Sequence, residues 1–151
     1  MRKSELKVTE ALYQLMCDLE NKELPYETFK TIYMQQLQNE HMYCLVEEID
    51  GKIVAMLNMR FETQLHHCEK IAEIMEFIVN DHYRSLGIGK KMFSKAVEVS
   101  KAHHCSQIEL ATNQLRKKAH QFYEREGMSN FHYKYSMRLD NQKFSENKIG
   151  N

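Results

Sequence analysis

The segment that most constrains the fold of this chain is residues 84–89 (RSLGIG), which join a nearly continuous apolar run to a helical pattern. The apolar run, residues 71–79, is typical of a strand that is covered on both faces. Residues 86–103 carry apolar side chains at helical spacing and predict an amphipathic helix. Gly87 and Gly89 let a ligand approach the backbone closely, and a helix start offers unpaired N–H groups and the positive end of the helix dipole. The segment is therefore predicted to bind an anion such as phosphate or pyrophosphate.

The first half of the chain has the patterns of two helices and a hairpin. Apolar spacing and alternation predict helices at residues 12–19 and 29–37 and strands at residues 42–49 and 53–61. Pro25 fits the first turn of the second helix, and the Asp50-Gly51 dipeptide between the two strands indicates a tight hairpin turn. Residues 62–70 are polar and predict a loop or an irregular strand end.

The second half adds a strand, a helix and an aromatic strand. A strand is predicted at residues 107–111 and a helix at residues 115–126, with Gly127 as its C-terminal cap. The last predicted strand has alternating apolar residues: Phe131, Tyr133, Tyr135, Met137 and Leu139. This order of elements predicts a mixed α/β domain around one sheet, spanning residues 1–139, followed by a polar tail over residues 140–151.

Composition excludes several classes of protein. The 151 residues are 42% hydrophobic, which is enough for the core of one domain. The 21 basic and 21 acidic residues cancel, which argues against a nucleic-acid partner and against a polybasic membrane arm. No apolar run approaches the roughly 20 residues that cross a bilayer, and the first ten residues lack the apolar stretch of a signal peptide. We therefore predict a cytoplasmic protein without a membrane partner, with four cysteines that are structural.

Two nucleotide-binding patterns do not fit residues 84–92. The Walker loop needs a Lys followed by Ser or Thr after its second glycine, and this chain continues with Ile-Gly-Lys-Lys-Met after Gly87. The dinucleotide fingerprint needs a third glycine where Met92 stands. A Gly-x-Gly before a helix is a weak signal by itself, and the wider sequence context has to identify the ligand.

That context is a resemblance to the GNAT family of N-acetyltransferases. YRSLGIGKKM after EFIV resembles the acyl-CoA loop of that family, and Asn113 and then AHQFYEREG (residues 119–127) resemble its later signature in the same order and spacing. The resemblance covers residues 2–139. It implies a central, mixed but mostly antiparallel, twisted sheet flanked by helices. The first strand is expected to be truncated, because the chain begins about where that strand should end.

Within the family, three segments resemble the aminoalkylphosphonate N-acetyltransferases. They are ALYQLMCDLE near the start, QLHHCEKIAEIMEF in the middle, and AHQFYEREG together with His132. One departure is Ala55, which stands where many relatives carry glycine after the hairpin. The resemblance also implies a homodimer as one expected assembly.

The resemblance assigns acetyl-CoA, as cosubstrate, to two neighbouring segments. The backbone amides that would hold its pyrophosphate belong to Arg84, Ser85, Leu86, Gly87, Ile88, Gly89 and Lys90. The pantetheine arm would run beside the strand that ends with Phe77, Ile78 and Val79, and a main-chain N–H near Val79 would face the thioester oxygen. Asn113 would help to position the pantetheine.

The reaction implied is direct attack of a neutral amine on the thioester, which calls for an acid and a base. Tyr123 is the candidate acid, since a phenol with a pKa near ~10 stays protonated and can donate to the leaving thiolate. As a residue in an amphipathic helix, it could equally be structural. Glu73 and Glu76 compete as the base, because a carboxylate in an apolar strand has its pKa raised by burial. Their spacing of three places them on opposite faces unless a bulge intervenes, and we lean towards Glu73. A structural hydrogen bond for either glutamate, or a base that acts through a water chain, stays open.

Histidines and one arginine are candidates for contacts to the acceptor. If the acceptor is a phosphonate, His66 or His67, together with Arg60 or Lys70, would face its anion or help to bind a bridging divalent ion. Adjacent histidines diverge on a strand, so His66-His67 is not a ready chelate, and no metal site is assigned.

The sequence thus predicts an acetyl-CoA-dependent N-acetyltransferase that modifies a small-molecule primary amine, with an aminoalkylphosphonate as the narrower hypothesis. Two alternatives stay open: an acetyltransferase for another small amine or for a protein amine, and a non-catalytic acyl-CoA sensor.

Overall fold

The computed structural model describes residues 1–143 and contains one five-stranded sheet in the order β1-β2-β3-β4-β5. The strands are β1 (Arg2–Lys3), β2 (Met42–Ile49), β3 (Lys52–Gln64), β4 (Glu69–Val79) and β5 (Gln107–Leu110). Neighbours from β1 to β4 are antiparallel, and β5 runs parallel to β4. This arrangement confirms the mixed, mostly antiparallel sheet. The first strand has two residues.

The described residues contain four α-helices: α1 (Thr9–Glu20), α2 (Tyr26–Leu37), α3 (Ile88–Ala102) and α4 (Lys117–Arg125). Two short 3-10 turns lie at Leu6–Val8 and Asp81–Tyr83. Contacts within the chain divide it into a first unit, residues 1–110, and a second unit that starts at Ala111. A single domain over residues 1–139 stays a prediction, and most of the predicted tail, residues 144–151, lies outside the described residues.

The core of the first unit follows the helical spacing seen in the sequence. The side chains of Leu12, Leu15 and Met16 on α1 are buried, and they pack in one cluster with Val46 and Ile78 of the sheet. Burial of each such side chain stabilises the fold by roughly 1.5–3 kcal/mol relative to exposure. On α3, the Ser100 hydroxyl lies 3.8 Å from the sulfur of Met59, which places that helix against β3. The two helix layers thereby fix the positions of β3 and β4.

The β2–β3 hairpin forms as predicted. Asp50 and Gly51 have φ angles of 50° and 77°, so both are left-handed, as the tight turn of a two-residue hairpin requires. The next hairpin differs from the prediction, because β3 runs to Gln64 and β4 begins at Glu69. The loop predicted over residues 62–70 is therefore only residues 65–68. Backbone hydrogen bonds hold this ladder together, and polar side chains are compatible with it where the strand faces solvent.

In the second unit, Gly127 follows α4 with a φ of 92°, and the N–H of Met128 donates to the Tyr123 carbonyl at 3.0 Å, which confirms the predicted cap. The predicted last strand is wrong, since the structure contains no strand among described residues 131–139. Large side chains there are exposed, including Phe131 (84%) and Tyr135 (91%). Alternation fixes only which side chains share a face, whereas a strand needs a hydrogen-bonded neighbour.

Within residues 1–143, no helix combines the length and the apolar character needed to cross a membrane.

Candidate functional site

Residues 84–90, called the anion loop from this point, follow the 3-10 turn after β4 and include the first residues of α3. Gly87 caps α3 with a φ of 78°, and Ser85 is also left-handed, at 66°. A Cβ added at Gly87 would meet no atom within 4 Å, so the space beside this turn is open. The Arg84 side chain folds back: its Nε donates to the Val79 carbonyl at 3.2 Å, and its guanidinium lies 2.7 Å from Asp81 Oδ1. These contacts tie the loop to the last residue of β4.

The N-terminus of α3 has the charge distribution of an anion site. The N–H of Lys91 donates to the Gly87 carbonyl at 3.1 Å, whereas the N–H groups of Ile88, Gly89 and Lys90 precede the first intrahelical bond. The first turn of α3 contains no acidic side chain. The open turn, the N–H groups and the positive dipole end fit the pyrophosphate of a CoA thioester.

The edge of β4 beyond Ile74 is the second feature of the site. In the first unit, β5 pairs with β4 only from Ile71 to Ile74, because β5 ends at Leu110. The N–H of Asn80 donates to Val54 on β3, so strand alternation directs the N–H of Val79 towards the opposite edge. An extended amide chain such as pantetheine fits an edge of this kind, because it can pair with the backbone as a further strand would.

A bulge in β4 changes where its glutamates point. Asn58 and then Met59 on β3 pair with Glu76 and Ile74, which makes Met75 an extra residue on β4. Arg60 pairs with Glu73, and Asn58 and Arg60 share one face of β3 because they are two residues apart. Glu73 and Glu76 therefore lie on one face, which is the exception that the sequence analysis allowed for a bulge. We call this face, with Asn58, Arg60, Glu73 and Glu76, the acceptor face.

Glu76 is held by a buried amide. Asn58 Nδ2 donates to Glu76 Oε2 at 2.9 Å and to Gln36 Oε1 on α2, also at 2.9 Å. Burial raises the pKa of the Glu76 carboxyl, the hydrogen bond from Asn58 opposes that rise, and the charge of Glu20 adds to it. The result is a carboxylate that accepts a proton more readily than an exposed glutamate.

Glu73 is an ion-pair partner. Its Oε2 lies 2.8 Å from Nη2 of Arg60, with the two side chains 27% and 40% exposed. Nε of Arg60 is buried and has no hydrogen-bond acceptor within residues 1–143. The Glu73 carboxylate therefore already has a cation as its partner, whereas Glu76 is bonded to a neutral amide. Which of the two glutamates is the base stays a prediction.

Comparison with known proteins decides the family. The model of the acetyltransferase (GNAT) family matches residues 9–128. The chain belongs to the GNAT acetyltransferase family. It is an acetyl-CoA-dependent N-acetyltransferase.

Three known proteins illustrate what this GNAT acetyltransferase is similar to. It is 30% identical over 131 residues to an aminoalkylphosphonate N-acetyltransferase of Salmonella typhimurium, covering 87% of this chain and 85% of the relative. A transcriptional regulator from Bacillus halodurans has the same fold, with a TM-score of 0.86, 23% identity, and 91% and 97% of the two chains covered. AAC(6')-Iy, crystallised with the bisubstrate analog CoA-S-monomethyl-acetylneamine, has a TM-score of 0.81 at 13% identity, with 92% and 96% covered.

Two signature residues of this GNAT acetyltransferase lie in the second unit. Burial raises the pKa of the Tyr123 phenol, against an opposing effect of Arg116, so the phenol carries its proton at neutral pH. Asn113 Oδ1 accepts the N–H of Leu115 at 2.8 Å, and its carbonyl lies 2.8 Å from Nε2 of His120. Asn113 thus shapes the turn before α4. The acid role of Tyr123 and the pantetheine contact of Asn113 stay predictions.

The histidine pair lies far from the anion loop in the first unit. His66 and His67 occupy the tip between β3 and β4, with ring centroids 4.1 Å apart. At ~3.3 Å per residue, this tip and the anion loop are separated by the full length of β4, roughly 30 Å. Arg60 is several residues away from the tip, whereas Lys70 is the second residue of β4 and lies close to it. The acceptor contacts of these residues stay predictions. Within residues 1–143, no group of three or more His, Cys, Asp and Glu side chains could hold a metal ion.

Sequence reasoning missed Asn58 and Gln36. The available signal was Asn58 itself, a polar residue within the apolar run of residues 53–59. A buried amide in such a run needs hydrogen-bond partners, and one partner of Asn58 is the candidate base.

Proposed function

We propose that this GNAT acetyltransferase transfers the acetyl group of acetyl-CoA directly to the primary amine of a small aminoalkylphosphonate. The observation that carries the activity lies at the end of β4, where the half-buried Glu76 carboxylate stands three residues before Val79 and just ahead of the anion loop. The similarity to an aminoalkylphosphonate N-acetyltransferase over most of both chains supports the choice of acceptor.

The anion loop and the β4 edge are the proposed binding surfaces for acetyl-CoA, which supplies a reactive acetyl thioester. Backbone N–H groups of residues 84–90 would bind the pyrophosphate, assisted by the dipole of α3. The segment Phe77, Ile78 and Val79 would pair with the pantetheine arm. The N–H of Val79 would donate to the oxygen that gains negative charge during transfer.

Glu76 is the proposed general base. A primary amine is protonated near neutral pH and has to lose a proton before it can attack. Burial raises the pKa of Glu76, which makes its carboxylate a stronger proton acceptor. Tyr123 is the proposed acid for the departing thiolate, since its raised pKa keeps the phenol protonated.

Arg60 is the proposed contact for the phosphonate. Its side chain is 40% exposed on the acceptor face, so part of the guanidinium is open to an acceptor. A guanidinium offers a fork of donors that matches the oxygens of a phosphonate. Glu73 would hold that guanidinium in place through the 2.8 Å ion pair. We also propose a cytoplasmic location, from the sequence features above, and a homodimer, from the family resemblance.

The test is a thiol-release assay with acetyl-CoA and a panel of acceptors. The panel contains 2-aminoethylphosphonate, aminomethylphosphonate, an amino sugar and a polyamine, each tested with and without a divalent ion. Ethylamine is the matched control, because it has the amine of 2-aminoethylphosphonate without the phosphonate group. Turnover restricted to the aminophosphonates is the expected result. Turnover of other amines alone contradicts the phosphonate assignment. If acetyl-CoA binds but no acceptor releases thiol, a protein amine or a sensor role becomes the better hypothesis.

Glu76→Gln provides the matched control within the enzyme. It keeps an oxygen that can accept from Asn58, and it removes the proton-accepting carboxylate. We expect it to bind acetyl-CoA as tightly as the parent enzyme and to lose most turnover, by about 10²-fold or more.

A further inference from the structure

We propose that Asn58 is a positioning residue for Glu76, and that Gln36 on α2 fixes the orientation of the Asn58 amide. The inference rests on the proposed function, because that function gives Glu76 the role of proton acceptor. Asn58 is 6% exposed and lies on β3 between the apolar residues Leu57 and Met59. A buried amide is stable there only when its hydrogen-bonding groups have partners.

The two hydrogens of Asn58 Nδ2 have separate acceptors. One acceptor is Glu76 Oε2 and the other is Gln36 Oε1, each 2.9 Å from the nitrogen. A flipped Asn58 amide would turn its own oxygen towards two acceptor oxygens, which is unfavourable. Gln36 thereby keeps the donor of Asn58 aimed at Glu76, and α2, β3 and β4 are joined through three side chains.

This arrangement compensates for the bulge at Met75. The extra residue brings Glu76 onto the acceptor face but interrupts the regular ladder beside it. The hydrogen bond from Asn58 restrains the carboxylate at that irregular point. It holds Oε2, and we assign Oε1 as the oxygen that receives the proton from the amine.

The other groups that face Glu76 do not stabilise its ionised form, which distinguishes Asn58 from them. Glu20, the last residue of α1, carries a like charge that raises the pKa of Glu76. Cys44 on β2 is buried, and its pKa is raised to about 11, so at neutral pH the thiol is uncharged. Among these contacts, the hydrogen bond from Asn58 is the one that favours the ionised carboxylate. Without it, Glu76 would keep its proton to a higher pH, so a smaller fraction of it would be ionised and able to accept a proton below that pH.

The direct test follows the titration of Glu76 by NMR of ¹³C-labelled glutamate carboxyls, with Glu76→Gln used to assign the signal. Asn58→Leu replaces the amide with an apolar side chain of similar size, and we expect it to raise the Glu76 midpoint by about one pH unit. Gln36→Leu should raise it less, in the same direction. Gln35→Leu, on the exposed face of the same helix, is the matched control and should leave the midpoint unchanged.

Kinetics provide the second readout. Asn58→Leu should lower kcat by about tenfold with little change in KM, and it should move the acid limb of the pH profile to higher pH. Asn58→Gln, which keeps an amide donor, should recover part of kcat. If Asn58→Leu does not fold, as judged by circular dichroism, Gln36→Leu carries the test.

A native-like Asn58→Leu variant with an unchanged Glu76 midpoint would overturn the inference. If Asn58→Leu does not fold, an unchanged Glu76 midpoint in Gln36→Leu would overturn the inference in the same way. The NMR titration needs no turnover, so its result is independent of the thiol-release assay. An unmodified enzyme that releases no thiol with any acceptor refutes the proposed function instead.

Discussion

Glu73 and Glu76 project from the same face of β4, because the bulge at Met75 adds one residue between them while their partners Arg60 and Asn58 stay two residues apart on β3. The two carboxylates consequently lie on one face of the sheet in different surroundings. Glu73 is paired with a guanidinium, and Glu76 is bonded to a neutral amide. The bulge therefore places an ion pair and a candidate base on one surface, next to the strand edge that is proposed to receive the cofactor.

Deletion of Met75 tests the importance of the bulge. Removing the extra residue restores a regular ladder and sends either Glu73 or Glu76 to the opposite face, since one residue of slip reverses every side chain beyond it. We expect the deletion variant to lose turnover by more than about 10²-fold and to have a lower melting temperature, measured by thiol release and circular dichroism. Met75→Leu, at the same 42% exposed position, keeps the bulge and should behave like the parent enzyme.

Replacement of Arg60 tests the phosphonate contact. Arg60→Gln removes a charged donor, so we expect the KM for 2-aminoethylphosphonate to rise roughly tenfold or more. The kinetics with an acceptor that lacks the phosphonate should change much less. Arg125→Gln, an exposed arginine on α4, is the control for loss of one positive charge. A KM that rises equally for both acceptors would place Arg60 in a structural role.

The sequence was informative where one local pattern determined the structure. Residues 42–49 and the Asp50-Gly51 turn form as predicted, because alternation and a left-handed dipeptide act over neighbouring residues. The turn before α3 was predictable for the same reason, as Gly87 takes a conformation that few other residues adopt. Its binding of an anion stays a prediction.

Features that depend on distant partners were not predictable. The bulge at Met75 has no local signature, since the segment Ile-Met-Glu contains neither glycine nor proline. The register that pairs Asn58 with Glu76, and the helix face that brings Gln36 to Asn58, depend on contacts 18 and 22 residues apart along the chain. At residues 131–139, alternation of apolar side chains predicted a strand. A strand also requires a hydrogen-bonded neighbouring strand, and the alternation contains no information about such a partner.

The raised pKa of Glu76 predicts that this residue lowers stability at neutral pH. Between the ordinary pKa of glutamate and the raised folded value, the folded protein holds the proton that the unfolded chain has released. The free energy of unfolding therefore falls as pH rises through that window. Glutamine does not titrate, so Glu76→Gln does not lose this part of the free energy of unfolding as the pH rises. The variant should have a higher melting temperature than the parent enzyme at pH 7, and the difference should shrink towards pH 4. Glu62→Gln, an exposed carboxylate on β3, should show no such trend.

The Tyr123→Phe variant tests whether Tyr123 acts as the acid or has only a structural role. The variant keeps the ring that packs edge-on against Phe122, with centroids 5.4 Å apart, and removes only the proton donor. We expect kcat to fall by about 10²-fold, while the Kd for acetyl-CoA, measured by calorimetry, stays the same. Burial raises the pKa of the phenol, so the alkaline limb of the parent enzyme should lie above the ordinary range for tyrosine. An unchanged kcat in Tyr123→Phe would assign the proton to another donor.

Two glycines with nearly equal geometry distinguish cofactor binding from backbone strain. Gly87 in the anion loop and Gly51 in the first hairpin have φ angles of 78° and 77°, and a Cβ at either would meet no atom within 4 Å. Alanine at each position should therefore cost about 1 kcal/mol of stability through left-handed strain alone. Only Gly87→Ala should also weaken acetyl-CoA binding, by tenfold or more, because it distorts the N–H groups at the start of α3. Calorimetric titration of both variants, beside their urea unfolding curves, checks this. Equal losses of affinity in the two would mean that the anion loop is not the binding surface.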